Sequence, residues 1–131
     1  MRISDQRKEA LYELSLLLSE IQNYIDVVLV EGLRDVVALK FLGCVAQIDV
    51  LSHSGVNDFD LADELAARFN NVLILTDFDD EGLNLNKRFK SILEHKGVCV
   101  ESGLRQRIGR LMAAIGAYAV ESLDNIQAEL E

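Results

Sequence analysis

Apolar residues are spaced in two different ways along this chain. Between residues 5 and 24 they recur every three or four positions, as Leu11, Leu14 and Leu18 do, which predicts an amphipathic helix. At Val27–Val30 four apolar residues follow one another, three of them β-branched. Such a short continuous run is typical of a strand that is buried on both faces of a sheet. Both patterns return further along the chain.

The two spacings, with glycines and short polar clusters at the breaks, predict a series of alternating elements. Strands are expected over 27–30, 46–51, 72–75 and 98–100, and helices over 5–24, 35–42, 57–69, 82–96 and 104–127. Strands that alternate with helices favour a parallel sheet covered on both faces. We therefore predict an α/β protein with a Rossmann-like, four-stranded, mainly parallel sheet and added N- and C-terminal helices.

Acidic residues follow the first and the third predicted strands. Glu31 comes directly after Val30, and Asp77 and Asp79 come just after the third strand. If these strands are neighbours, the second strand lies outside the first and the order is 2-1-3-4. The chain then changes direction between strands one and three, and ligands bind at such a reversal, beyond the carboxyl ends of the strands.

The size and composition suit one small soluble domain. The chain has 131 residues, of which 50% are hydrophobic, and it contains neither proline nor a linker-like segment. We expect a single domain over 1–131 with a core at about 26–100. No apolar run approaches the ~20 residues that span a bilayer, so no membrane association is expected. The two cysteines have no metal-binding or disulfide spacing, which favours a reduced, cytoplasmic protein.

The charge is unevenly distributed. The chain as a whole has a net charge of −9, which argues against a general nucleic-acid coat. Residues 84–110, however, carry seven basic and two acidic side chains. These residues are either solvated helix faces or a surface that meets phosphate.

The turn after the third strand concentrates negative charge. Asp77, Asp79, Asp80 and Glu81 lie within five residues, and Glu31 is expected beside them. Two carboxylates ~4 Å apart repel by about 4 kcal/mol at an effective dielectric constant near 20. A divalent cation would remove this cost, and carboxylate oxygens suit Mg²⁺ or Mn²⁺, which also accept phosphate oxygens.

Three other interpretations of this turn remain open. A calcium loop requires a glutamate at its twelfth position, where this chain has Arg88. A phosphatase with an aspartate nucleophile would leave Glu31 unexplained. In the third interpretation the acids only cap the following helix, since carboxylates stabilise helix N-termini; that interpretation does not account for Glu31 either.

The two motifs together resemble the signatures of the Toprim domain. The first is Val27–Gly32, followed by Asp35 and Ala38-Leu39, and the second is Val72–Gly82, which contains the pattern D-x-D-x-E-G. Toprim domains are shared by topoisomerases, bacterial-type primases and some ribosomal-RNA maturation ribonucleases. The chain is similar to the short stand-alone Toprim proteins of archaea and bacteria.

The resemblance implies a set of site residues. Glu31 matches the acid that acts as a general acid or base or helps to hold a metal, and Asp77 and Asp79 match the magnesium ligands. Many relatives have proline between the two aspartates, where this chain has Phe78. The expected cofactor is Mg²⁺, with Mn²⁺ as a substitute.

The remaining expectations concern the substrate and partners. Candidate contacts with phosphate or nucleic acid are Gly32, Arg34, Ser54, Gly55, Lys87, Arg88 and Arg105. We expect Mg-dependent phosphoryl transfer on nucleic acid, RNA or DNA, as in a nuclease. The alternative is a non-catalytic metal-binding module for nucleic-acid or protein interaction that works with a partner. A protein partner or a homo-oligomer is the expected form of any assembly.

Overall fold

The computed structural model describes residues 3–52 and 55–130, and the side chains of residues 5–52 and 55–126. Ten helices and strands follow one another: α1 (Ile3–Glu20), β1 (Val27–Val30), α2 (Leu33–Phe41), β2 (Ile48–Val50), α3 (Asp58–Arg68), β3 (Asn71–Ile74), α4 (Asp80–His95), β4 (Cys99–Val100), α5 (Ser102–Ile115) and α6 (Leu123–Leu130). Short 3-10 turns occupy Ile21–Asn23 and Val120–Ser122.

The four strands form one parallel sheet in the order β2-β1-β3-β4. Val28 of β1 lies opposite Ile48 on one side and Leu73 on the other. The predicted fold class and strand order are therefore confirmed. Because β1 and β3 are neighbours and parallel, their carboxyl ends meet at the same edge of the sheet.

Helices cover both faces of the sheet. Val28 and Val30 point to a core formed with α1, α2, α5 and α6, whereas Val27 and Leu29 point to a second core formed with α3 and α4. The continuous apolar run in β1 is explained by this arrangement, since both faces of the strand are buried.

The prediction of one long C-terminal helix over 104–127 was wrong. Helix α5 ends at Ile115, and Gly116 adopts a left-handed conformation with φ of 88°. Its N–H donates to the carbonyl groups of Met112 and Ala113, which closes the helix. The apolar stripe continues across the break because α5 and α6 bury residues in the same core, so spacing alone could not reveal the interruption.

Candidate metal centre at the strand ends

Glu31 and Asp77 meet where β1 and β3 end. The backbone N–H of Asp77 donates to Glu31 Oε2 at 2.8 Å, although the two residues are 46 positions apart in the chain. Both side chains are partly exposed. The neighbouring strands therefore place two of the predicted acids side by side, with access to solvent.

A segment after α5 holds the backbone and side chain of this turn. Val120 N–H donates to Asp77 Oδ1 at 2.9 Å, and Phe78 N–H donates to the carbonyl oxygen of Tyr118 at 2.8 Å. The segment is reached through the break at Gly116. The interruption of the C-terminal helix thus brings backbone groups to the candidate site.

Asp79 caps α4. Its Oδ1 accepts the N–H of Gly82 at 2.7 Å, and the hydroxyl of Thr76 donates to the carbonyl oxygen of Gly82 at 2.7 Å. Gly82 lies so close to the strand end that a Cβ atom there would come within 2.1 Å of the carbonyl oxygen of Asp77. Glycine is therefore required at this position by the close approach of two backbone segments.

Arg105 supports the turn from inside the protein. It is 7% exposed, and its guanidinium donates to the carbonyl oxygens of Ile74, Thr76 and Asp77 at 3.1, 2.9 and 3.3 Å. The sequence predicts Arg105 as a phosphate contact, but the side chain is buried and three of its N–H groups donate within the fold, so we do not retain it in that role. Burial lowers its pKa to about 10, against the attraction of Glu31 and Asp77, so it is cationic at neutral pH.

Burial and mutual repulsion affect the acids at the strand ends. Burial, followed by repulsion from Asp77, raises the pKa of Glu31, while the hydrogen bond from Asp77 N–H opposes this change. Burial also raises the pKa of Asp35, with smaller contributions from the charges of Asp77 and Glu121. A site that disfavours several negative charges at once is one in which a cation is stabilised.

The donor chemistry of the three predicted ligands fits a hard divalent cation. Glu31, Asp77 and Asp79 each commit one carboxylate oxygen to a backbone N–H. Among the described residues, no backbone N–H and no basic side chain donates a hydrogen bond to the other oxygen of these carboxylates. Oxygen donors in this number suit Mg²⁺, which usually keeps several waters.

The side chains are not, however, drawn together around a point. Among the described residues, no three histidine, cysteine, aspartate or glutamate side chains form a group that could hold a metal ion. The structure brings Glu31 and Asp77 together, and Asp79 lies two residues further on as the helix cap. The predicted roles of the three residues as ligands stay predictions.

The other predicted contacts are dispersed. Gly32 begins α2 beside Glu31, and Arg34 is exposed on the first turn of that helix. Arg88 forms a 2.7 Å ion pair with Asp58 of α3, and Lys87 is exposed on α4. Gly55 has a φ of 80°. Ser54 lies outside the described residues.

Asp35 also belongs to the site. It is part of the first sequence motif, but the sequence analysis assigned it no role. The carboxylate is buried, and Oδ2 accepts the N–H of Gly32 at 3.0 Å. It thereby fixes the backbone immediately after Glu31. The signal was available in the spacing, since an acid three residues after a helix N-cap commonly binds the N-cap amide.

The family comparison agrees with this arrangement. A model of the Toprim-like family matches residues 28–108, which contain both acidic strand ends. The chain therefore belongs to the Toprim-like family. This membership indicates a metal-binding, nucleic-acid-related function, and Mg²⁺ is the ion that Toprim domains generally bind.

Particular relatives are archaeal. A UPF0292 protein of Thermococcus gammatolerans is 37% identical over 95 residues, covering 72% of this chain and 69% of its own. One from Methanosarcina barkeri is 32% identical over 123 residues, covering 94% and 84%. A solved structure of an Aquifex aeolicus protein matches with a TM-score of 0.66 at 24% identity, covering 84% of this chain and 94% of its own, which shows a shared fold. None of the described helices has the length and apolar character needed to cross a membrane.

Proposed function

We propose that this protein is a Mg²⁺-dependent nuclease that hydrolyses phosphodiester bonds at the ends of β1 and β3. The observation that carries the proposal is the hydrogen bond from Asp77 N–H to Glu31, which joins the acids of the two family motifs at one point. The neighbouring acids and the raised pKa values of Glu31 and Asp35 favour binding of a cation there. When bound, Mg²⁺ would neutralise the phosphate and polarise its oxygens.

We assign a different role in the reaction to each of the site residues. Asp77 and Asp79 would hold the ion through the oxygens that no backbone amide occupies, with Mn²⁺ as a substitute. Glu31, whose raised pKa brings it closer to neutrality, would accept a proton from the attacking water or give one to the leaving oxygen. Arg105 keeps the carbonyl groups of the turn fixed, so that the ligands stay in place.

Cleavage assays test this proposal. Labelled RNA and DNA, single- and double-stranded, would be incubated with the protein in Mg²⁺, Mn²⁺ or EDTA. We expect cleavage only with a divalent ion and a loss of roughly 100-fold or more in Glu31→Gln and Asp77→Asn. Glu94→Gln, an exposed acid of α4, is the matched control and should cleave like the wild type. Cleavage that resists both EDTA and the two substitutions would overturn the proposal.

A second candidate function is a metal-binding module that acts through another protein without turnover. Leu33, Val37 and Phe41 form an apolar stripe along α2 and are 75%, 61% and 58% exposed. Stripes of this kind mark interaction surfaces. This function predicts metal binding by calorimetry without cleavage, together with a self-association or a pulled-down partner that Phe41→Asp abolishes. Cleavage by a monomer that is indifferent to Phe41→Asp would exclude it.

A further inference from the structure

A cavity of about 530 Å³ opens between α4 and α5, over the carboxyl ends of β3 and β4. Its wall includes Phe78, the residue between the two predicted metal-binding aspartates. The volume lies within the range of small-molecule sites, ~300–1,000 Å³. None of the residues discussed as metal ligands lines it, so it is a separate site that borders the metal centre.

The aromatic wall is held rigidly. The guanidinium of Arg105 stacks on the Phe78 ring at 4.3 Å from its centroid. On α5, Gly109 lets the ring approach, because a Cβ atom there would lie 2.7 Å from Phe78 Cε1. The ring is nevertheless only partly buried. A fixed and partly exposed ring is suited to stacking against a flat ligand.

The rest of the lining combines apolar, amide and basic groups. Leu83, which is 45% exposed, extends the apolar wall beside Phe78. Asn86 and Gln106 supply amide groups, and Lys90 and Arg110 supply positive charge. Glu101 is also part of the lining and offers acceptor oxygens. Amides pair with the edges of nucleobases, and basic side chains bind backbone phosphates.

We infer that this cavity binds an unpaired nucleobase of a single-stranded nucleic acid, next to the phosphate that reaches the metal centre. The substrate class, nucleic acid, is taken from the proposed function. The binding site for a base is the new element. The base lies along Phe78 and Leu83, and the neighbouring phosphates meet Lys90 and Arg110. Charge complementarity favours this occupant, because most of the lining belongs to the basic segment 84–110 of an otherwise acidic chain.

Binding of labelled single-stranded oligonucleotides tests the inference without turnover. Each oligonucleotide, as RNA and as DNA, would be compared by fluorescence anisotropy with the same backbone carrying abasic positions. The comparison would be made in EDTA and in Mg²⁺, and Glu31→Gln would be used where Mg²⁺ is present, to prevent cleavage while Asp77 and Asp79 are kept. Base stacking on an aromatic side chain predicts that abasic positions weaken binding roughly 5- to 100-fold. Equal affinity for the intact and abasic strands, or no binding under either condition, would overturn the inference.

Two pairs of variants locate the base. Ala113→Phe fills the cavity and should remove the preference for the intact strand, whereas Ala114→Phe, at the adjacent exposed position outside the lining, should retain it. Asn86→Ala should weaken binding of the intact strand only, and Asn84→Ala should have no effect. Circular dichroism melting would show that all four variants are folded. A preference that survives Ala113→Phe would place the base elsewhere and refute the inference.

The outcomes separate the two proposals. Cleavage with no base preference would leave the nuclease function standing and remove the base pocket. A base preference lost in Ala113→Phe, in a protein that cleaves nothing, would support the pocket and exclude the nuclease. Comparison of the RNA and DNA oligonucleotides would show whether the pocket accepts RNA, DNA or both.

Discussion

Arg105 illustrates how a basic residue can be structural in a nucleic-acid-related fold. A buried guanidinium is costly unless it is hydrogen-bonded, and here three of its N–H groups donate to carbonyl oxygens of one strand end. Position in a basic segment made Arg105 resemble a phosphate contact in the sequence. The burial of Arg105 depends on how α5 packs on the sheet, so it could not be predicted from the basic segment alone.

We predict that Arg105→Ala lowers the free energy of unfolding by about 3 kcal/mol, because it leaves carbonyl oxygens of the turn unpaired and removes the support of Phe78. Arg107→Ala, on the exposed side of the same helix, should change stability by less than about 0.5 kcal/mol. Urea denaturation would measure both. A loss of similar size in the two variants would contradict the assigned role.

Gly82 offers a second prediction at this scale. Gly82→Ala should cost about 3 kcal/mol, because the added Cβ collides with the backbone of Asp77, and it should weaken Mg²⁺ binding by displacing that residue. Gly103→Ala is the matched control, since no atom lies within 4 Å of a Cβ there. The control should gain about 0.5–1 kcal/mol, because alanine favours the helix. Calorimetric melting with and without Mg²⁺ would compare them, and equal melting of the two variants would refute the close approach.

At the scale of elements, carboxylates join both ends of the β1–β3 pair. Glu31 accepts Asp77 N–H at the carboxyl end, and at the opposite end Asp26 Oδ2 accepts the N–H groups of Asn70 and Asn71 at 2.8 and 2.9 Å. These bonds are long-range in sequence, and they set the ends of the two strands relative to each other. The order of the strands could be predicted from the acids at the strand ends. The sequence did not show which backbone N–H groups those acids would bind.

Asp26 predicts a dependence of stability on pH. The hydrogen bonds from Asn71 and Asn70 lower its pKa from the usual 3.8. A group with a lowered pKa stabilises the folded state above its unfolded pKa, and the stabilisation is lost as pH falls through the lower, folded value. Asp26→Asn should therefore be less stable than the wild type at neutral pH, with the difference shrinking in acid. Urea denaturation at several pH values would test this, and a difference independent of pH would count against it.

The break between α5 and α6 shows what hydrophobic spacing can and cannot predict. The long, strongly periodic elements were identified because a buried face is a property of the local sequence. Gly116 was a visible signal for a helix end, yet the stripe on both sides of it favoured a continuous helix. What decided the outcome was packing of two helices in one core, with the connecting segment bound to the acidic turn.

At the scale of the whole molecule, part of the acidic charge is concentrated at one edge of the sheet. At the candidate metal centre, where β1 and β3 end, Glu31 and Asp77 lie side by side, and repulsion from Asp77 contributes to the raised pKa of Glu31. The sequence predicted this grouping from the two motifs, since neighbouring parallel strands share an edge. Capping of the following helix was one of the open interpretations of this turn, and the structure shows Asp79 in that role, but the sequence could not tell which of the acids would be the cap.

Melting temperature should report this repulsion. At 100 times its dissociation constant, Mg²⁺ should stabilise the wild type by about 2.7 kcal/mol, which raises the melting temperature by several degrees. In EDTA, Asp77→Asn should melt no lower than the wild type, because a repelling charge has gone, and Mg²⁺ should then have little effect. Asp63→Asn, a surface acid paired with Lys96, should keep the full response to Mg²⁺. A metal response that persists in Asp77→Asn would exclude this carboxylate as a ligand.

The hydrogen bonds from Val120 to Asp77 and from Phe78 to Tyr118 have a consequence for the extent of the functional unit. The match to the family model ends at residue 108, but the groups that hold the turn around Asp77 belong to Tyr118 and Val120, which lie 10 and 12 residues beyond it. A fragment trimmed to the matched region would contain Glu31, Asp77 and Asp79 but lack the two hydrogen-bond partners that hold the turn, Tyr118 and Val120. The structural unit that orients these acids is therefore longer than the region that matches the family model.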